Sequence, residues 1–126
     1  MNKEPIQTNN APDAIGPYSQ AVAIDGLVYT SGQIGLDPST MALQDSLEEQ
    51  THQVMHNVHA ILQEAGCEWH DVIKAMIFLK NMDDFQTVNE IYASYFEEPY
   101  PARSAVEVAK LPKDAAVEVE VIAKKK

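Results

Sequence analysis

The stretch SLEEQTHQVMHNVHAILQEAGCEWHDVIKAMIFL, residues 46–79, contains both layers of the fold in one run. Its apolar residues first recur at helical spacing: Leu47, Val54, Met55, Val58, Ile61, Leu62 and Ala65 share one stripe, and the other faces are polar. Ser46 followed three residues later by Glu49 is a capping-box signature, and Gly66 stands just past the last periodic residue. The spacing predicts a helix from Ser46 to Ala65. From Val72 to Leu79 the period disappears, and a nearly continuous apolar run with β-branched residues reads as a largely buried strand. A helix with one apolar stripe beside a buried strand calls for helices lying across a sheet.

Working outward toward the N-terminus, Ala21–Ile24 and Leu27–Thr30 flank Asp25-Gly26, a strong hairpin signal. Residues 1–17 carry Pro5, Pro12 and Pro17 and read as an extended, mostly irregular arm, closed by a stiff Gly16-Pro17-Tyr18 corner that holds Tyr18. Gly32 and Gly35, three apart after the hairpin, indicate a bulge or a close backbone approach. Residues 37–40 form a turn, and Leu43 starts a short strand.

Toward the C-terminus, Asp83 or Asp84 caps a second helix running to about Phe96. Its stripe is Phe85, Val88, Tyr92, Tyr95 and Phe96, with Asn89 on the same face. Residues 97–101 form a linker, Ser104–Val108 a strand, 110–114 a turn, and Val117–Ala123 the last strand. The order β-β-α-β-α-β-β predicts an α+β sandwich with two helices on one face of a mixed sheet. It forms a single domain over residues 1–126, with 1–15 as the arm and 124–126 as a frayed tail.

A net charge of −10 over 126 residues repels phosphate backbones and anionic membranes, which argues against nucleic-acid and membrane partners. No apolar run approaches the ~18 residues of a membrane span. The N-terminus shows no export h-region, and Cys67, the single cysteine, fits a reducing cytoplasm.

Arg103 is the only arginine, set just after Pro101-Ala102. Its planar fork of donors suits a carboxylate or phosphate, although the segment by itself fits an edge-strand ion pair better. Glu118 and Glu120 alternate with Val117, Val119 and Val121, so both project from one face, ~6.6 Å apart. Sequential strands usually neighbour each other, which predicts that Arg103 and one glutamate share a site. Asn89 on an apolar face is either a satisfied structural amide or a site residue. His52, His56 and His59 read as a solvated helix face rather than a metal site, His70 as structural, and Cys67 as inert for want of a base. No nucleophile elbow, phosphate loop or dinucleotide motif is present.

Five segments in order resemble one family. They are Ile15–Ala21, Tyr29–Ile34, Phe85–Asn89, Pro101–Val108, and Leu111–Asp114 followed by Val117–Ala123. Together they are similar to the RidA (YjgF-type) family of reactive-intermediate deaminases, from about Asn9 to Ala123. The resemblance implies a chorismate-mutase-like fold assembled as a homotrimer around a barrel-like core, with ligand sites between subunits. It implies hydrolysis of 2-imino acids and their enamine tautomers to 2-oxo acids and ammonia, with no metal or organic cofactor. On the matching positions, Arg103 clamps the substrate carboxylate, Glu118 positions water, and Tyr18 closes the pocket. Ser31, Gly32, Asn89, Ser104 and Ala105 line it. Many relatives carry Cys or Thr where this chain has Ala105, which excludes a thiol role here, and the short 97–100 linker bears on substrate size. Two other readings stand beside it: a non-catalytic trimeric sensor of small carboxylates, and a nuclease or translation inhibitor, which the charge disfavours. Whether Glu118 or Glu120 does the work stays open in the sequence.

Overall fold

A computed structural model describes residues 2–126. Strands β1 (Glu4–Ile6), β2 (Ala21–Ile24) and β3 (Leu27–Thr30) are followed by α1 (Leu47–Glu64), β4 (Val72–Leu79), α2 (Phe85–Ala93), β5 (Ala102–Glu107) and β6 (Val117–Lys124). The strands form one mixed sheet in the order β1-β2-β3-β6-β4-β5, with β4 and β5 parallel and every other pair antiparallel.

Helix α1 begins as its residues dictate. Ser46 accepts from the Glu49 N–H, and Glu49 reaches back to the Ser46 N–H. Gly66 follows the helix at φ +83°, a left-handed conformation open to glycine. Val54, Met55, Val58, Ile61 and Leu62 are fully buried, joining Val28, Ala75, Ile77, Leu79, Val117 and Val119 in one core. The β4 and β6 bounds agree with the apolar runs that predicted them to within a residue.

Several details differ from the sequence reading, among them Leu43, which makes only an isolated bridge with Leu36, and Lys124, which pairs from β6 with Leu27 instead of fraying. The arm is not irregular throughout: residues 4–6 pair with β2, and Pro5 is tolerated because β1 is an edge strand. Helix α2 stops at Ala93, and Asp84 precedes it without a side-chain cap; the Asn81 side chain instead caps a 3-10 turn over Met82–Asp84, accepting from the Asp83 N–H at 2.9 Å. The strand bearing Arg103 starts at Ala102, placing the arginine inside it. Finally, β5 and β6 are not neighbours. The helical connections through α1 and α2 return the chain parallel to where it left, so β5 pairs with β4 at the edge, while β6 enters antiparallel between β3 and β4.

The helices cover one sheet face only. The other face presents half-buried Val22, Ile24, Met76, Phe78 and Ile122, with Tyr29 and Val106 exposed. No helix among the described residues is long and apolar enough to cross a membrane.

Candidate active site in two halves

Glu118 owes its direction to the alternation of β6. Val117, Val119 and Val121 are buried under the helices, so Glu118 and Glu120 point to the uncovered face, opposite Phe78 and Met76. Gln33 and Val119 exchange backbone hydrogen bonds at 2.9 and 3.1 Å, which lays the Gly32-Gln33 segment along β6. Gly32 thereby meets Glu118 so closely that a Cβ there would overlap its carboxylate. Gly35 makes a second close approach, where a Cβ would stand 2.7 Å from the Gln50 Cα on α1. Both glycines therefore serve the contacts that their spacing forecast.

Around Glu118 lies a cleft of about 340 Å³, walled by Tyr18, Gly32, Ile34, Leu36, Met41 and Lys113 among others. Its walls are pinned by buried amides. The Gln20 side chain donates to the carbonyls of Thr8 and Pro12 at 3.0 and 2.8 Å and accepts from the Thr8 N–H at 2.8 Å, tying down the arm. Asn57 on α1 donates to the carbonyls of Ile34 and Leu36 at 3.2 and 3.0 Å. Tyr18 stands half-exposed at the rim, on a corner where its N–H donates to the Gly16 carbonyl. Burial, and secondarily the negative charge of Glu120, hold the Glu118 carboxyl above the usual carboxylate range. Of the two glutamates, only Glu118 lines this cleft.

Arg103 occupies the other half. On β5 and paired with Ala75 of β4, it points to the helix-bearing side at the sheet edge. Its guanidinium donates to the Asn89 Oδ1 at 2.5 Å and lies 5.1 Å from the Tyr92 ring centre and 5.4 Å from that of Phe85. Arg103, Asn89 and Tyr92, with Ala93, Tyr100 and Pro101, outline a second cleft of about 360 Å³. No described carboxylate forms an ion pair with Arg103, so the edge-strand ion pair is not made. Asn89 lines this cleft, and its amide oxygen accepts from Arg103 rather than fixing a loop.

The two clefts share no residue. Arg103 and Glu118 lie two strands apart, about 10 Å across the sheet, with side chains on opposite faces. The expectation that neighbouring strands bring them together within one chain is thus wrong, because β4 intervenes.

Other residues are distributed as follows. Ser31 donates its hydroxyl to the Ser19 carbonyl at 2.6 Å and sits beside Gly32 without lining either cleft. Ser104, opposite Met76, faces the uncovered side, and Ala105, opposite Ile77, is half-buried against the core. The histidine face of α1 is less bare than expected. His52 Nδ1 lies 2.7 Å from the Tyr95 hydroxyl, while His59 stacks on Trp69 and lies 2.8 Å from Glu68. Exposed His70 lies 3.5 Å from Asp71. Cys67 is buried, and burial pushes its thiol up, away from nucleophilic character. Sequence reasoning missed Leu36, Met41 and Lys113 in the Glu118 cleft and took Phe85 and Tyr92 for core alone. Their spacing from Asn89, four before and three after, was the available signal.

Two helices laid on one face of a mixed six-stranded sheet, with clefts at its edge and on its uncovered side, define the class as a two-layer α+β domain. The family model described as Endoribonuclease L-PSP matches residues 8–125. A mouse 2-iminobutanoate/2-iminopropanoate deaminase is 50% identical over 119 residues, covering 94% of this chain and 88% of that one. A crystal structure of a Rid family protein from Yersinia pestis superposes with TM-score 0.95 at 49% identity, covering 98% and 99% of the two chains. That of Escherichia coli TdcF with bound serine superposes with TM-score 0.93 at 42% identity, covering 98% and 99%. The chain belongs to the Rid (YjgF-type) family.

Proposed function

We propose that this protein is a hydrolytic deaminase that converts 2-imino acids such as 2-iminobutanoate to 2-oxo acids and ammonia. It would work as a homotrimer whose sites join the Arg103 half of one protomer to the Glu118 half of the next. The observation that carries the reading is the pair of incomplete half-sites. One holds a guanidinium with no carboxylate partner, and the other a carboxyl kept above its usual range. They face opposite sides of one sheet, so a second copy is what can bring them together. The half-buried apolar residues of the uncovered face favour such a copy. The deaminase names of the mouse and human relatives and the serine bound to TdcF agree with a small amino-acid-like ligand.

The chemistry needs little from the protein. A protonated imine is already electrophilic at carbon, so orientation and a delivered water suffice. Arg103 holds the substrate carboxylate in a two-pronged contact. Ionised Glu118 takes a proton as water oxygen bonds to the imine carbon, giving a carbinolamine. The same carboxyl then returns the proton to nitrogen, the C–N bond breaks with its electron pair leaving on ammonia, and the freed carboxylate takes the hydroxyl proton as the C=O of the 2-oxo acid forms and passes it to the departing ammonia. A carboxyl with a raised pKa suits this alternation of base and acid. Tyr18 at the rim and Gly32 beneath Glu118 complete that half.

The test is loss of 2-iminobutanoate released by a threonine dehydratase. The protein accelerates it, and Arg103→Ala abolishes the acceleration; full activity in that variant contradicts the reading. A sensor without catalysis would instead bind 2-oxobutanoate through Arg103 and leave the imine's lifetime unchanged. The nuclease activity in the family's description has no support in a chain of net charge −10 with one arginine.

A further inference from the structure

Arg103 is exposed on an edge strand of a chain with 19 acidic residues, yet no described carboxylate neutralises it. The hydrogen bond and both ring contacts of its guanidinium come from one stripe of α2. Phe85, Asn89 and Tyr92 follow one another at spacings of four and three, which stacks them along a single helical face. Phe85 and Tyr92 offer ring faces at 5.4 and 5.1 Å, and Asn89 accepts one N–H. This differs from an ion pair in its consequence. A carboxylate would cancel the charge and occupy the fork of donors, whereas aromatic faces attract the cation through their quadrupole and leave both charge and donors available. The Tyr92 hydroxyl adds to the case: it is buried without a hydrogen-bond partner, so hydrogen bonding does not explain a tyrosine there. Its ring is in use, with Arg103 at 5.1 Å and the Phe96 ring at 4.6 Å.

We propose that Phe85 and Tyr92 are positioning residues that hold the Arg103 guanidinium un-neutralised and aimed outward, and so set the affinity of this half-site for a ligand carboxylate. The proposal rests on the carboxylate-clamp reading of Arg103 and names what makes the clamp effective. Because the carboxylate is held equally in ground and transition states, the cradle acts on KM and on product binding, not on kcat.

The experiment measures KM for 2-iminobutanoate and, independently of catalysis, Kd for 2-oxobutanoate by calorimetry. It uses the full chain and its Phe85→Leu, Phe85→Tyr, Tyr92→Leu and Tyr92→Phe variants. Losing either ring raises KM and Kd together by about threefold to tenfold, with kcat within about twofold. The two ring-preserving variants stay at the wild-type values. Half-buried Phe85 supplies the comparison should Tyr92→Leu not fold. Unchanged Kd and KM in Phe85→Leu overturn the proposal, as does a fall in kcat at constant KM, the mark of a lost active fraction. If Arg103→Ala binds 2-oxobutanoate as the wild type does, the clamp itself is wrong and the cradle falls with it.

Discussion

Glu118 shows what one residue's surroundings accomplish. Its elevated pKa means that the folded protein binds its proton more readily than the unfolded chain does. Its contribution to stability therefore falls as pH rises from the usual carboxylate range through the elevated folded value. Glu118→Gln is accordingly expected to raise the melting temperature at pH 8 relative to wild type, with the gain disappearing near pH 4 (about the ordinary value for a glutamate). In the imine assay the same variant loses a factor of about 10²–10⁴ in kcat, the usual worth of a positioned proton carrier. A gain in stability accompanying a loss in rate separates a tuned site residue from a scaffold residue, whose removal lowers both. Gly32→Ala tests the neighbour: its methyl would overlap the Glu118 carboxylate, so kcat falls while secondary structure by circular dichroism is unchanged. At this scale the sequence said much. The Val-Glu alternation and the lone arginine marked both residues, but nothing in the chain's order showed that Glu118 is the one lining a cleft, where burial first and Glu120 second raise its pKa.

Elements were legible where local physics decides them. The Ser46–Glu49 box, the stripe of α1 and the apolar run of β4 each specify their structure with residues close in sequence, and the structure follows them. Ser46→Ala removes a cap that satisfies a backbone N–H and is expected to cost about 1 kcal/mol in urea unfolding. An unchanged midpoint would show the box to be idle. Asn57 is a different case: a buried amide in the middle of α1, it carries the cleft wall by holding the carbonyls of Ile34 and Leu36. Its Asn57→Ala variant leaves buried acceptors unpaired, so we expect a loss of about 1–3 kcal/mol together with a raised KM. What adjacency in sequence could not show is strand order. The β5–β6 neighbour rule failed because two helical crossovers had already committed β5 to β4, leaving the gap between β3 and β4 for the last strand.

For the molecule as a whole, the same topology becomes the argument for assembly. A sheet with helices on one face only leaves Phe78, Met76, Ile122 and their neighbours half-covered, and it separates Arg103 from Glu118. No reading of one chain's sequence shows which face a side chain presents to a second copy, so the expectation of a trimer rests on family resemblance. Light scattering is expected to give three times the 14.0 kDa chain mass, and a fully active monomer would be incompatible with shared sites. Complementation tests the shared site most directly. Arg103→Ala and Glu118→Gln proteins, each inactive alone, are unfolded, mixed in equal amounts and refolded. Random assembly of trimers pairs an intact Arg103 half with an intact Glu118 half at about one interface in four. The mixture should therefore recover about a quarter of the wild-type imine hydrolysis, whereas a mixture as inactive as its components would mean that both halves act within one chain.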